Sequence, residues 1–342
     1  MSSDALSTLS RPPTEDLAKQ DFYPLTRDLV RASSSCIKNF MKVGFELPMP
    51  HTSVKIVRGA LALHQILPES LACPRDFSNI RTQSVTSPIP GEWVECVSGV
   101  HSEPSKRKAL LFLHGGGFLC LAPSLYRTMT VQLARLTSAR VFVPDYRLAP
   151  EFVYPAQLDD VAAAYDYVLS CGYKPSDVFF VGDSAGGSLC CALLVKLITE
   201  GRLEKVPASV AVISPWLDLT GTLCRSRQTN AEKDIVLPSN IMALAATYYC
   251  PDSEKHSDPF VSPLFASDEV LEKFPRILFE VGSTEVLLDD SRLMCGQLVR
   301  NGVMAFLRIH TDEPHVFQVY GDYYAPAMES LRDISHFLLN SI

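Results

Sequence analysis

Short apolar runs and longer segments of helical period alternate along most of this chain. Ala109–Leu113 is a continuous apolar run of the kind found in strands covered on both faces. Further strand-like runs fall at Arg140–Val143, Val178–Val181, Ser209–Ile213, Arg276–Val281 and Ala305–His310. Between them the spacing predicts helices over Leu125–Leu136, Leu158–Leu169, Leu189 to about Glu200 and Leu287–Asn301, with a closing helix from Phe317 onward. Strands alternating with helices predict an α/β fold, a mostly parallel central sheet with helices on both faces. Ahead of this region, Arg81–Thr86 and Glu92–Val97 alternate apolar and polar around Pro88-Ile-Pro90-Gly91, which suits an antiparallel pair.

Three stretches depart from the alternation. Residues 1–20 are rich in Ser, Pro and charge, and poor order is expected at that end. From Asp21 to about Leu71 the pattern is helical, first through Phe22, Leu25, Leu29, Cys36, Ile37, Phe40 and Met41, then over Val54–Leu67. Residues 217–257 are polar and then helical (Ile241–Tyr249), set between two sheet strands; an insertion so placed is a candidate lid. The expected organisation is a helical cap region over 1–75 and an α/β domain over 76–342, with 217–257 as a cap insertion. Phe22, Tyr23, Phe40, Met41, Met242, Tyr248 and Tyr249 have two readings, as the lining of a hydrophobic substrate site or as plain core.

Composition narrows the classes. Of 342 residues 47% are hydrophobic and 20% charged, as in an ordinary globular protein. A net charge of -7 speaks against nucleic acid as a partner, and no apolar run has the length for stable membrane insertion. The opening residues lack a signal-peptide pattern. Ten scattered cysteines show no zinc spacing, so buried thiols in the cytoplasm and no metal are expected.

The chemistry centres on Gly182-Asp-Ser184-Ala-Gly186. It fits the G-x-S-x-G elbow, in which a serine sits on a strained turn between strand and helix. The flanking glycines are required because a side chain at either place would strike the adjoining strand or helix. In such sites an acid and then a histidine follow, each after a strand. Glu285, Asp289 and Asp290 come after the strand ending at Val281. His315 lies in the loop after the last strand, whereas His310 sits at the strand end, His256 precedes the acids and His336 falls in the closing helix. Oxyanion donors are expected from the amide of Ala185 and from His114-Gly-Gly-Gly117.

Five stretches in order, His114-Gly-Gly-Gly-Phe118, Asp145-Tyr-Arg-Leu-Ala-Pro-Glu151, Gly182-Asp-Ser-Ala-Gly-Gly187, Ser214-Pro-Trp-Leu-Asp218 and Asp258-Pro-Phe-Val-Ser-Pro-Leu264, resemble the hormone-sensitive-lipase-like branch of the α/β-hydrolases. The resemblance covers roughly residue 90 to the end. It implies Ser184 as nucleophile, His315 as base, and the amides of Gly116, Gly117 and Ala185 as the oxyanion hole. It implies Glu285 at the position where the family usually carries Asp, with Asp289 and Asp290 where the family has non-catalytic acids. Leu121-Ala122 replaces the family's frequent Gly-Ser beside the oxyanion loop. The expected activity is that of a serine carboxylesterase, working without a cofactor on a small-to-medium hydrophobic ester (an acetyl ester or lactone, by resemblance to fungal members in secondary metabolism). By analogy a homodimer through the last strand is expected. An acyltransferase or lactone-forming cyclase would use the same residues. A non-catalytic receptor on this fold would have lost the histidine, and His315 is present.

Overall fold

A computed structural model describes residues 25–45, 79–97 and 108–340. The strands are β1 (Ile80–Val85), β2 (Gly91–Cys96), β3 (Ala109–Leu113), β4 (Arg140–Pro144), β5 (Val178–Asp183), β6 (Ser209–Ile213), β7 (Ile277–Gly282) and β8 (Ala305–His310). They form a sheet in the order β1-β2-β4-β3-β5-β6-β7-β8. β1 and β2 pair antiparallel, as does β2 with β4, and every later pairing is parallel. Because successive strand residues point to opposite faces, the apolar runs divide between two cores. Leu111, Phe180, Val212 and Phe279 face one layer, and Leu110, Phe179, Ala211 and Leu278 face the other.

The principal helices are α1 (Arg27–Phe45), α2 (Arg127–Thr137), α3 (Ala156–Ser170), α4 (Ser184–Thr199), α5 (Ser226–Thr229), α6 (Ser239–Tyr249), α7 (Asp268–Leu271), α8 (Leu288–Arg300) and α9 (Ala325–Leu339). α3, α4 and α8 cover the first face through residues such as Leu158, Leu193 and Met294; α2 and α9 cover the second through Met129, Leu133, Leu331 and Ile334. The α/β architecture expected from the alternation is therefore present.

Two boundaries differ from the sequence reading. The helix after β5 begins at Ser184 itself and not at Leu189, so strand and helix meet with no residue between them. The closing segment runs as a 3-10 helix over Phe317–Tyr323 before α9 begins at Ala325. Gly321 breaks it at φ 51°, ψ -130°, where a Cβ would lie 2.9 Å from the Thr128 carbonyl oxygen. A periodic pattern does not reveal such a break, because apolar residues continue on both sides of it.

α1 docks between the insertion and the loop after β8. Val30 is fully buried against Phe317, Tyr324 and Ala327. Arg27 pairs with Glu313 (2.7 Å), and Lys38 Nζ donates to the carbonyls of Ala231 and Asp234. In the insertion, α6 buries Met242, Ala245, Ala246 and Tyr249 in the first core layer, with Tyr249 stacked on Phe118 at 3.8 Å. For Met242 and Tyr249 the core reading therefore holds. The expected helix over Val54–Leu67, the cap boundary at residue 75, the expectation for residues 1–20, and the side chains of Phe22, Tyr23, Phe40 and Met41 lie outside the described residues. Among the described residues no helix is long and apolar enough to cross a membrane.

Candidate active site

Three parallel strands, β5, β7 and β8, end at the same rim of the sheet, and each is followed there by one of the candidate side chains, Ser184, Glu285 and His315. Ser184 follows β5 directly. Its φ of 50° is a left-handed conformation that costs a non-glycine residue energy. Close packing on both sides holds it there. A Cβ on Gly186 would stand 1.9 Å from the Leu113 carbonyl oxygen of β3, and one on Gly182 would stand 2.6 Å from the Gly186 carbonyl oxygen and 2.8 Å from Cys190 Sγ. These are the two collisions expected of the elbow glycines.

His315 Nε2 lies 3.0 Å from Ser184 Oγ, and its Nδ1 lies 2.7 Å from Glu285 Oε2. A carboxylate only accepts, so Nδ1 carries the proton and donates it, and the Nε2 lone pair is left for the serine hydroxyl. Glu285 is fully buried. Its other oxygen, Oε1, accepts the Gly282 amide (2.5 Å) and Ser214 Oγ (2.7 Å). The contact with the Gly282 amide folds the longer glutamate arm back on its own loop. Burial alone would lower the His315 pKa, but the adjacent Glu285 carboxylate outweighs it, with help from Asp234 and Asp183, and the imidazole is raised above 6.5.

The other candidates point elsewhere. Asp289 accepts the Ser226 amide (2.8 Å), while Asp290 is fully buried, pairs with Arg227 (2.9 Å) and accepts the amides of Leu217 and Asp218. His310 pairs with Glu280, and His256 Nε2 is hydrogen-bonded to the Cys250 carbonyl oxygen (2.8 Å).

The glycine loop after β3 is held from below. The Gly115 amide donates to Tyr126 Oη (3.0 Å) and to Asp183 Oδ1 (3.0 Å), and Tyr126 Oη donates to Asp183 Oδ2 (2.9 Å). Gly115 is thus engaged within the protein. Carbonyl and N–H of one trans peptide point in opposite directions. The Gly115 carbonyl accepts His114 Nδ1 (2.9 Å), so the Gly116 amide faces away from that ring. The Gly116 carbonyl accepts the Leu119 (3.0 Å) and Cys120 (3.1 Å) amides, so the Gly117 amide faces away from that turn. Gly116 and Gly117 have φ of 103° and 63°, and a Cβ on Gly116 would stand 2.2 Å from the Cys120 carbonyl oxygen. Ala185 is in the first turn of α4, where amides lack an intrahelical partner. Leu121 also has positive φ (77°) and packs beside Gly116.

His114 is fully buried and stacks on Tyr146 at 4.2 Å. Burial depresses its pKa to about 4, so it stays neutral and braces the loop. Burial likewise raises Asp183 to about 7 against the pull of Tyr126, His315 and Gly115. Asp183 and Ser214 stood inside recognised motifs without a role in the sequence reading. Tyr126 and Asp234 carried no signal, because their partners are distant in the chain.

A family model described as the alpha/beta hydrolase fold matches residues 110–319, more than half of the chain. The chain belongs to this family. Among its relatives, an esterase of Acinetobacter venetianus is 33% identical over 70% of this chain and 79% of its own length. An acetyl-hydrolase of Streptomyces hygroscopicus is 32% identical over 66% of this chain and 73% of its own. The crystal structure of an esterase from the bacterial hormone-sensitive lipase family superposes with a TM-score of 0.76 at 31% identity, covering 90% of this chain and 97% of that one. The chain falls in that branch of the family.

Proposed function

We propose that the protein is a serine carboxylesterase that cleaves a small-to-medium hydrophobic ester through an acyl-enzyme. The observation that carries this reading is the continuous relay from Ser184 Oγ through His315 to Glu285, at 3.0 and 2.7 Å. Ser184 Oγ attacks the ester carbonyl carbon as His315 Nε2 takes its proton. The carbonyl oxygen becomes an oxyanion and accepts the amides of Gly116, Gly117 and Ala185. The tetrahedral species collapses, the bond to the alkoxy oxygen breaks, and His315 returns the proton to the leaving alcohol. Water, deprotonated by the same histidine, then releases the acid and restores Ser184. Glu285 holds the imidazole in its Nδ1–H tautomer and stabilises the imidazolium between steps.

Esterase relatives support the reaction class, and the acetyl-hydrolase relative supports acetyl esters as substrates. Ala245 of α6 approaches Gly117, where a Cβ would meet it at 3.8 Å, which supports an apolar ceiling over the ester carbonyl. The free described cysteines fit a reducing compartment such as the cytosol.

The test is hydrolysis of p-nitrophenyl esters from acetate to laurate. Wild type is expected to turn over the shorter esters. Ser184→Ala should lose roughly 10⁵- to 10⁶-fold in kcat. Glu285→Gln should lose about 10⁴-fold, by favouring the wrong tautomer. Full activity in Ser184→Ala would end the proposal.

A further inference from the structure

The insertion grips the loop that carries Glu285 through three side chains. Ser226 Oγ donates to the Val286 carbonyl (2.7 Å). Asn230 Nδ2 donates to the carbonyls of Ser283 (3.2 Å) and Glu285 (2.9 Å). Asp234 Oδ2 accepts the Val286 amide (2.9 Å), immediately after Glu285. Of the three, Asp234 alone can carry charge, and it is 2% exposed. Its Oδ1 accepts the amides of Val236 (2.8 Å) and Leu237 (2.9 Å). Lys38 of α1 donates to the Asp234 backbone carbonyl and not to its carboxylate.

A carboxylate held by neutral amides and, among the described residues, in no side-chain ion pair keeps much of its field when burial leaves little water to screen it. Burial pushes the Asp234 carboxyl up from the ordinary range, while His315 and the Leu237 and Val286 amides pull it back. The charged groups that bear on His315 are Glu285 from the loop after β7, Asp234 from the insertion and Asp183 from β5.

We infer that Asp234 is a positioning residue for ester cleavage: it fixes the Glu285 loop through the Val286 amide and places a second negative charge behind the Glu285–His315 pair. This rests on the triad proposed above. The first part keeps Glu285 within reach of Nδ1, where a displacement of an ångström costs ~10²-fold in rate. The second favours the imidazolium formed whenever His315 holds the serine's proton. It also assigns the insertion a role beyond covering the site.

The experiment compares Asp234→Asn with wild type on p-nitrophenyl butyrate from pH 5 to 9, with reactive sites counted by fluorophosphonate burst. Asn keeps the side-chain shape and removes the charge. The expected result is a fall in kcat of roughly 10- to 100-fold, little change in KM, and an acid limb of kcat/KM about half to one unit lower. Asp234→Glu should keep the limb near its wild-type pH. A limb that does not move in a fully titratable Asp234→Asn overturns the inference and leaves Asp234 as a turn cap. If Asp234→Asn does not fold, Asp234→Ser, whose Oγ can still cap the Val236 and Leu237 amides, takes its place. Failure of both to fold makes the residue a folding element and also overturns it. Loss of activity in Ser184→Ala, measured alongside, keeps a failure here separate from a failure of the triad.

Discussion

Ser184 and His315 each hold a state that their residue types do not favour. The serine backbone is strained, and Gly182 and Gly186 allow the close packing that keeps it so. Gly186→Ala would drive a methyl into the Leu113 and His114 carbonyl oxygens, at 1.9 and 2.5 Å. It should destabilise the fold by about 3 kcal/mol or more, read as a lower midpoint in urea, and remove the nucleophile from its turn. For His315 the sign of the pH effect follows from its neighbours. Burial opposes the imidazolium, and Glu285, Asp234 and Asp183 together overcome it. In the proposed mechanism His315 must be neutral to accept the serine proton, so activity should fall as pH drops through a value above 6.5. Histidine NMR on the same protein should show His315 titrating there, while His114, held at about 4 by burial, stays silent. A His315 titration below 6.5 would refute the charge argument.

At the scale of elements, legibility in the sequence depended on how local the determinants are. The β3 run, the elbow and the loop holding His315 are written in adjacent residues, and their period and spacing were enough to place them. Glu285 was reached only through resemblance, since three acids follow β7 and nothing nearby separates them. What separates them is tertiary: Ser214 and the Gly282 amide select Glu285, while Arg227 occupies Asp290. The insertion was legible as an interruption, but its attachment was not. Its anchors Ser226, Arg227, Asn230 and Asp234 are polar, so no apolar pattern marks them, and they meet partners 52 to 63 residues away. The Arg227–Asp290 pair predicts its own test. Asp290→Ala leaves a guanidinium buried without its carboxylate at the root of the insertion, and should cost about 3–5 kcal/mol in urea unfolding. A loss under ~1 kcal/mol would mean the pair behaves as a surface one.

At the scale of the molecule, β8 is an outer strand of the sheet, with no further strand paired to it among the described residues. Met304, Ile309 and Val299 are exposed on or beside that edge. An uncovered strand edge is a template for pairing, and by family analogy we expect a homodimer there. Analytical ultracentrifugation should show a dimer at micromolar concentration, and Ile309→Lys should shift it toward monomer. A wild-type monomer at that concentration would count against it. The separation of the site residues along the chain has a temporal consequence as well. Ser184 and His315 are 131 residues apart, and synthesis proceeds N-terminus first at ~5–20 residues per second. For roughly ten seconds each new molecule therefore holds the proposed nucleophile and oxyanion loop before the proposed base exists. On the proposed mechanism, a chain stalled between the two residues carries an inert serine.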